Sequence, residues 1–213
     1  MENRKNIVIV GGGGLGREIY SLLKPAVVSG QICISGFIDD TLPTCSTLSE
    51  SYPVPVLGKI SDYKPMTNDY MLMAIGDPRA KLNLAADLEA RGARFFSFIH
   101  PTAIVSVTAK IGKGVVVYPY CFISADATIS DFVMINCHSG AGHDVFIGAG
   151  STVCAHVDLT GHVKIGKAAF IGSHASILPN VEVGDYAKVG AGAIVVRRVK
   201  EAATVYAQPA RTL

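Results

Sequence analysis

Tryptophan is absent from the 213 residues, aromatic side chains make up 8% and charged ones only 17%. A core of this composition has little bulky filler, so it must close through aliphatic side chains and close backbone approach, and 22 glycines point the same way. Strong charge of either sign is missing too. Nineteen Lys and Arg against 17 Asp and Glu leave a net charge of +2, too weak a field for phosphate neutralisation to drive nucleic-acid binding. No apolar run approaches the roughly 18 residues of a membrane span, and Met1-Glu2-Asn3-Arg4-Lys5-Asn6 leads into a short apolar strand rather than a signal-peptide core. A cytoplasmic protein without a membrane span is expected. The five cysteines, Cys33, Cys45, Cys121, Cys137 and Cys154, are odd in number and form no Cys-x-x-Cys pair, which favours free thiols over a disulfide framework or a redox centre.

What is abundant is period. From Val105 to Val195 in steps of six, fifteen of sixteen residues are Val, Ile or Leu, with Ala141 the exception. Two places earlier the same register holds small or β-branched residues, from Ala103 to Ala193, and glycine recurs just after the aliphatic position, as at Gly112, Gly142, Gly166 and Gly184. The alternation marks short strands with one buried face, and the residues between them are turn formers. This is the hexapeptide repeat of a parallel β-helix. Three hexads make one triangular coil of the left-handed β-helix that the repeat resembles, so residues 101–195 predict about five coils without an insertion.

The first hundred residues read differently. Asn6-Ile7-Val8-Ile9-Val10 predicts a buried strand, Gly11-Gly12-Gly13-Gly14-Leu15-Gly16 a tight turn, and Arg17 onward a helix. Gly-x-Gly-x-x-Gly between strand and helix lets backbone approach a phosphate at a helix N-terminus. A second strand, Ile32 to Ile38, ends at Asp39-Asp40, whose carboxylates suit ribose or base edges; a third, Met71 to Ile75, ends at Gly76; a helix over Pro78 to Arg91 and a strand near Phe95 to Ile99 follow. The expected architecture is an α/β, Rossmann-like half domain over residues 1–100 and an all-β left-handed parallel β-helix over 101–213. Half a dinucleotide fold disfavours NAD chemistry and favours a mononucleotide handle, such as that of a nucleotide-linked sugar.

Among the six histidines, His138, His156 and His174 are 18 apart and stack on one edge of the prism, with no Cys or carboxylate joining them as a metal site. His143 is followed by Asp144, in the coil where the aliphatic position shrinks to Ala141. An imidazole oriented by a carboxylate is a general base suited to neutral pH.

Taken in order, the Gly11 to Gly16 turn, Phe37-Ile38-Asp39-Asp40, Ala74-Ile75-Gly76, Ile135-Asn136 followed by His143-Asp144, Val163-Lys164-Ile165-Gly166 and Gln208-Pro209-Ala210-Arg211 resemble the sugar acetyltransferases of bacterial glycan biosynthesis. These are the N-acetyltransferases of bacillosamine- and perosamine-type pathways and the related sialic acid O-acetyltransferases. The resemblance implies a homotrimer with active sites between subunits, acetyl-CoA as cosubstrate without a metal, and a UDP-, dTDP- or GDP-linked amino sugar of 4-amino-4,6-dideoxy type as acceptor. By position it implies nucleotide-sugar contacts at Gly13, Gly14, Leu15, Asp39, Asp40 and Gly76, His143 as catalytic base with Asp144 its acidic neighbour, and Asn136, Thr152, Gly161, Ser173 and Ala191 near the acetyl group and pantetheine arm. Leu15 stands where the family turn often carries His, and Thr152 where some members place a second His. The implied role is N-acetylation for a surface glycan such as an O-antigen; O-acetylation of a sugar and a non-catalytic nucleotide-sugar scaffold are the alternatives. Arg197, Arg198, Lys200 and Arg211 are expected near CoA phosphates, and a backbone N–H near Gly161 is expected to face the oxyanion.

Overall fold

The run Ile7 to Val10 carries no polar side chain, as a strand covered on both faces requires, and all four residues are fully buried. They belong to β1 (Lys5–Val10) in a computed structural model that describes residues 5–44 and 47–208. Cys45, Pro209, Ala210 and Arg211 lie outside the described residues. The chain divides into two units, Met1–Gly76 with Asn83–Ser97, and Asp77–Leu82 with Phe98–Leu213.

In the first unit α1 (Gly14–Val28) follows β1, and β2 (Ile32–Ile38), β3 (Thr47–Ser49), β4 (Tyr52–Gly58) and β5 (Asp69–Met73) complete a sheet of order β3-β4-β2-β1-β5. All pairings are parallel except that of β3 with β4. β1 thus has β2 on one side and β5 on the other, which opens a crevice beyond the carboxyl ends of the strands, where open α/β sheets place ligands. Pro53 and Pro55 hid β4 in the sequence; the strand has a partner on each side, but both of its ladders shift register, and such irregularities are where a sheet accommodates proline. The helix α2 (Pro78–Ala90) follows β5. The strand expected near Phe95 to Ile99 is two features: Phe95 forms an isolated bridge with Met71, whereas Phe98–Ile99 pairs with Val116–Val117 of the second unit.

The second unit is a parallel β-helix of two-residue strands in three sheets of six, five and seven strands. The rungs lie 18 residues apart, as when Phe122 pairs with Gly140 and Gly140 with Asp158. The repeat begins earlier than the aliphatic register indicated, at Phe98, and runs past Val195 to Thr204–Val205. Lys188 pairs with Thr204, so the last coil is two residues short. The register aliphatics and the small residues two places before them point inward and are buried almost throughout. Where that inner position is Ser139 or Ser151, the buried hydroxyl donates to the carbonyl of Cys154 or Gly166 and accepts from the N–H of Val157 or Ala169, so neither hydroxyl is stranded.

From Gly114 to Gly192 each corner turns through a residue with positive φ. Tyr120, His138, His156 and His174 mark one corner, Asp126, Asp144, His162 and Asn180 the second, and Phe132, Gly150, Ala168 and Tyr186 the third. That conformation costs a non-glycine residue roughly 1–2 kcal/mol. The N–H of the turning residue donates to the previous coil, as His138 does to Pro119 and Asp144 to Ala125, which holds the conformation in place. Gly150 at φ 72 serves a further purpose: a Cβ there would lie 2.3 Å from Leu82 Cγ, so the missing side chain admits the first turn of α2 against the coil. Among the described residues no helix is long and apolar enough to cross a membrane.

Candidate active site

The glycine turn of the first unit assigns each glycine a separate task. Gly11 takes φ 102, which a side chain rarely adopts. A Cβ on Gly16 would sit 2.1 Å from Gly11 O, so the helix can pack on the turn only without one. Gly13, the N-cap of α1, has open space around its Cβ position, and with the adjacent Gly14 it is exposed. Bare backbone N–H groups at this helix end offer an anion site. Asp39 secures the turn from the end of β2: Oδ2 accepts the Gly12 N–H at 2.8 Å, and Oδ1 accepts the Thr41 N–H at 2.8 Å and its hydroxyl at 2.6 Å. Partial burial raises the carboxyl pKa, but the hydrogen bonds from Thr41, Gly12 and Leu42 outweigh it and hold Asp39 below the usual 3.8. Asp40 is exposed and accepts the Ser61 N–H at 3.3 Å. Leu15 and Gly76 face each other, the Leu15 Cδ2 being 3.9 Å from where a Gly76 Cβ would stand. All six residues expected to contact a nucleotide therefore lie around the carboxyl ends of β1, β2 and β5.

In the second unit, His143 Nδ1 lies 2.8 Å from Asp144 Oδ2. The tautomer that satisfies this contact carries the proton on Nδ1, donates it to the carboxylate and leaves the Nε2 lone pair free. Gly161 stands one coil on, where a Cβ would be 2.5 Å from Nε2 and 2.7 Å from Cε1. The room beside the ring comes from Gly161, not from Ala141, whose methyl points into the prism and is buried. The neighbouring N–H groups of Thr160 and His162 are spent on Ile177 O and His143 O, which leaves the Gly161 N–H as the donor available beside the imidazole.

The remaining expected contacts are spread over the prism. Asn136, Ser173 and Ala191 lie at the corner of His138, His156 and His174, away from the corner of His143. Asn136 Oδ1 accepts the Cys137 N–H at 2.7 Å. Thr152 sits on the sheet between two corners, is buried, and its Oγ1 receives a hydrogen bond from Lys81 Nζ at 2.9 Å. Lys81 also donates to Ser151 O at 3.3 Å, and burial pushes its ammonium pKa down to about 7 against the opposing pull of Asp77 and Cys154. Cys121, Cys137 and Cys154 are free thiols. Burial raises Cys121 to about 11, and burial also raises Cys154 despite Ser173 and Lys81, which makes both poor acyl carriers. Arg197 and Arg198 line a shallow groove of about 300 Å³ at the last coils.

The PglD N-terminal domain family matches residues 6–88, and the bacterial transferase hexapeptide family, of six repeats, matches residues 162–197. A perosamine N-acetyltransferase from Caulobacter crescentus, solved as a histidine-to-asparagine mutant with CoA and GDP-perosamine, is 30% identical over 97% of this chain and 95% of its own, with a TM-score of 0.85. The chain belongs to the nucleotide-sugar N-acetyltransferases. Another solved member of this kind is the acetyltransferase domain of PglB from Neisseria gonorrhoeae FA1090 in complex with acetyl coenzyme A, 26% identical over 99% of this chain and 100% of that one, with a TM-score of 0.83. The UDP-N-acetylbacillosamine N-acetyltransferase of Bacillus subtilis (strain 168) is 32% identical over 114 residues, 53% of this chain. That match spans about half of the relative's length, 51%.

Two residues of this family member escaped the sequence reading. His162 is 18 residues beyond Asp144, and its Nδ1 lies 3.7 Å from Asp144 Oδ2, with its ring edge-on to His143 at 4.9 Å between centroids; the coil arithmetic applied to His138 would have found it. Lys81 stands in helical register with buried Ala85 and Leu88, and a lysine on an apolar stripe was the available signal.

Proposed function

We propose that this chain transfers the acetyl group of acetyl-CoA to the amine of a nucleotide-linked amino-deoxy sugar, with His143 as general base. The carrying observation is the His143–Asp144 pair with Nε2 turned over Gly161. The amine nitrogen attacks the thioester carbonyl and its proton passes to Nε2. The tetrahedral intermediate then collapses, the C–S bond breaks, and the leaving thiolate takes the proton back, giving amide and free CoA. No acyl-enzyme is involved. Placing a neutral amine against a thioester supplies most of the acceleration, and the base adds on the order of 10²–10⁴. Asp144 fixes the ring and stabilises the imidazolium, while the Gly161 N–H is the proposed oxyanion donor.

The nucleotide is assigned to the glycine turn, with its phosphates at the N-terminus of α1 and Asp39 and Asp40 beside it. The perosamine enzyme was solved with GDP-perosamine and the PglB domain with acetyl coenzyme A, which supports an acceptor and a donor of these classes. A homotrimer follows as part of the proposal. One chain carries His143 on one corner and Asn136, Ser173 and Ala191 on another, so neighbouring copies packed side by side would unite them. Exposed Ile104, Phe122 and Ile194 on one outer face supply apolar surface for such packing. Arg197 and Arg198 are assigned to CoA phosphates, and the product to surface glycan assembly in the cytoplasm. The test is a panel of UDP-, dTDP- and GDP-linked amino sugars incubated with acetyl-CoA, read by CoA release and product mass. Acetylation of one amine establishes the reading; transfer to a hydroxyl alone assigns O-acetylation, and binding without CoA release assigns a scaffold.

A further inference from the structure

His143, Asp144 and His162 bring two imidazole nitrogens and a carboxylate oxygen within 4.8 Å of one another. Asp144 Oδ2 lies 2.8 Å from His143 Nδ1 and 3.7 Å from His162 Nδ1. Their common corner is set by backbone. Asp144 and His162 take φ 59 and 60 at equivalent places in consecutive coils, and the His162 N–H donates to His143 O at 3.0 Å. The three Cα positions are therefore fixed while the side chains, 45–59% exposed, can be reached from solvent. Two imidazoles and one carboxylate form the donor set of a borderline cation such as Zn²⁺, whereas Mg²⁺ and Ca²⁺ favour oxygen throughout. Bonds of 2.0–2.2 Å in a tetrahedron place ligand atoms about 3.3 Å apart, and the two separations to Asp144 bracket that spacing.

We propose that these three residues form an inhibitory site for Zn²⁺, with a fourth position left to water. Binding stands on the ligand geometry alone, while inhibition rests on the reading of His143 as the base. A cation on Nδ1 of the neutral ring leaves the proton on Nε2, so the lone pair that would receive the amine proton is gone, and Asp144 is diverted to the metal. The ion is an antagonist of acetyl transfer, not a cofactor.

The full chain, stripped by chelator, is titrated with Zn²⁺ against a chromophoric chelator, with the visible absorption of Co²⁺ as a second probe and Mg²⁺ as control. One Zn²⁺ per chain is expected. His162→Ala should weaken it at least about tenfold, and should raise by the same factor the Zn²⁺ concentration that halves the variant's own metal-free rate. His162→Gln keeps the volume if the alanine variant folds poorly. His156→Ala, from the stacked ladder of exposed rings at another corner, should leave binding unchanged. Absence of stoichiometric binding, or binding untouched by His162→Ala and lost with His156→Ala, overturns the site. Zn²⁺ bound through His162 without slowing a measurable acetyl transfer overturns the inhibition. Zn²⁺ bound through His162 in a chain that acetylates no acceptor upholds the site and overturns the acetyltransferase reading instead.

Discussion

The ammonium nitrogen of Lys81 lies 2.9 Å from Thr152 Oγ1, and the lysine is only 1% exposed. A cation that has lost its water is costly unless it is paired, and the acceptors that meet Lys81, a hydroxyl and the carbonyl of Ser151, are neutral. The lysine therefore gives up its proton far more readily when folded, near pH 7, than at the ordinary 10.5 of the unfolded chain. Between those values the unfolded state binds the extra proton, so this group makes stability rise with pH across the window, and its full penalty is present below about 7. The gain is at most about 1.4 kcal/mol per pH unit, or roughly 3–6 °C in Tm for a chain of this size. Lys81→Met should remove that slope: the difference in Tm, wild type minus variant, should climb from pH 7 to pH 10. Parallel melting profiles for the two proteins would refute the buried-lysine account.

His143→Ala should fold, bind the nucleotide sugar with near-normal affinity, and lose at least about a hundredfold in kcat. Asp144→Asn keeps the size of the neighbour but removes the charge that favours the imidazolium, so its loss should fall mainly on kcat as well. Ligand affinity by calorimetry together with steady-state kinetics checks both. Turnover within a few fold of wild type in His143→Ala would take the histidine out of the mechanism.

Gly161→Ala tests the same corner from the other side. The new methyl would lie 2.5 Å from Nε2, and the ring, half exposed, is the group free to move. The backbone of Gly161 has no positive φ to protect, so the variant should melt within a few degrees of wild type while its kcat drops by an order of magnitude or more. Equal losses of melting temperature and rate would instead assign Gly161 a packing role.

The β-helix was legible because its signal is repeated: each inward aliphatic sits six residues from the next, and one exception, Ala141, does not break the register. The glycine turn was equally plain, since the positive φ of Gly11 and the close backbone approach at Gly16 admit only glycine, while Gly13 leaves the helix end bare. Legibility failed where partners are far apart in sequence. Nothing near Lys81 announces that the hydroxyl of Thr152, 71 residues later, will accept a hydrogen bond from its ammonium group. The prolines at 53 and 55 speak against a strand until the sheet order shows β4 next to the edge strand β3. The separation of Asn136, Ser173 and Ala191 from His143 was within reach of the 18-residue period, since Asn136 and Ser173 adjoin the corner of His138 and His174, but residues matched one by one carry no such geometry.

The Asp39 carboxylate is committed to the glycine turn before any ligand arrives. Both oxygens accept hydrogen bonds from backbone, one from Gly12 and one from Thr41. Asp39→Ala leaves these N–H groups without their acceptor and frees the turn on which the phosphates are proposed to rest. The expected result is a weaker nucleotide sugar, seen as a KM at least about tenfold higher, with kcat at saturation little changed, because the base corner in the second unit is untouched. A carboxyl held below 3.8 in the folded state stabilises it at neutral pH, and that contribution fades as pH falls from about 4 through the lower folded pKa. The wild type should therefore lose its melting-temperature advantage over Asp39→Ala in that acid range and keep it from pH 5 to 8. An unchanged KM would assign Asp39 to the architecture of the turn alone, and an advantage that grows on acidification would contradict the hydrogen-bonded carboxylate itself.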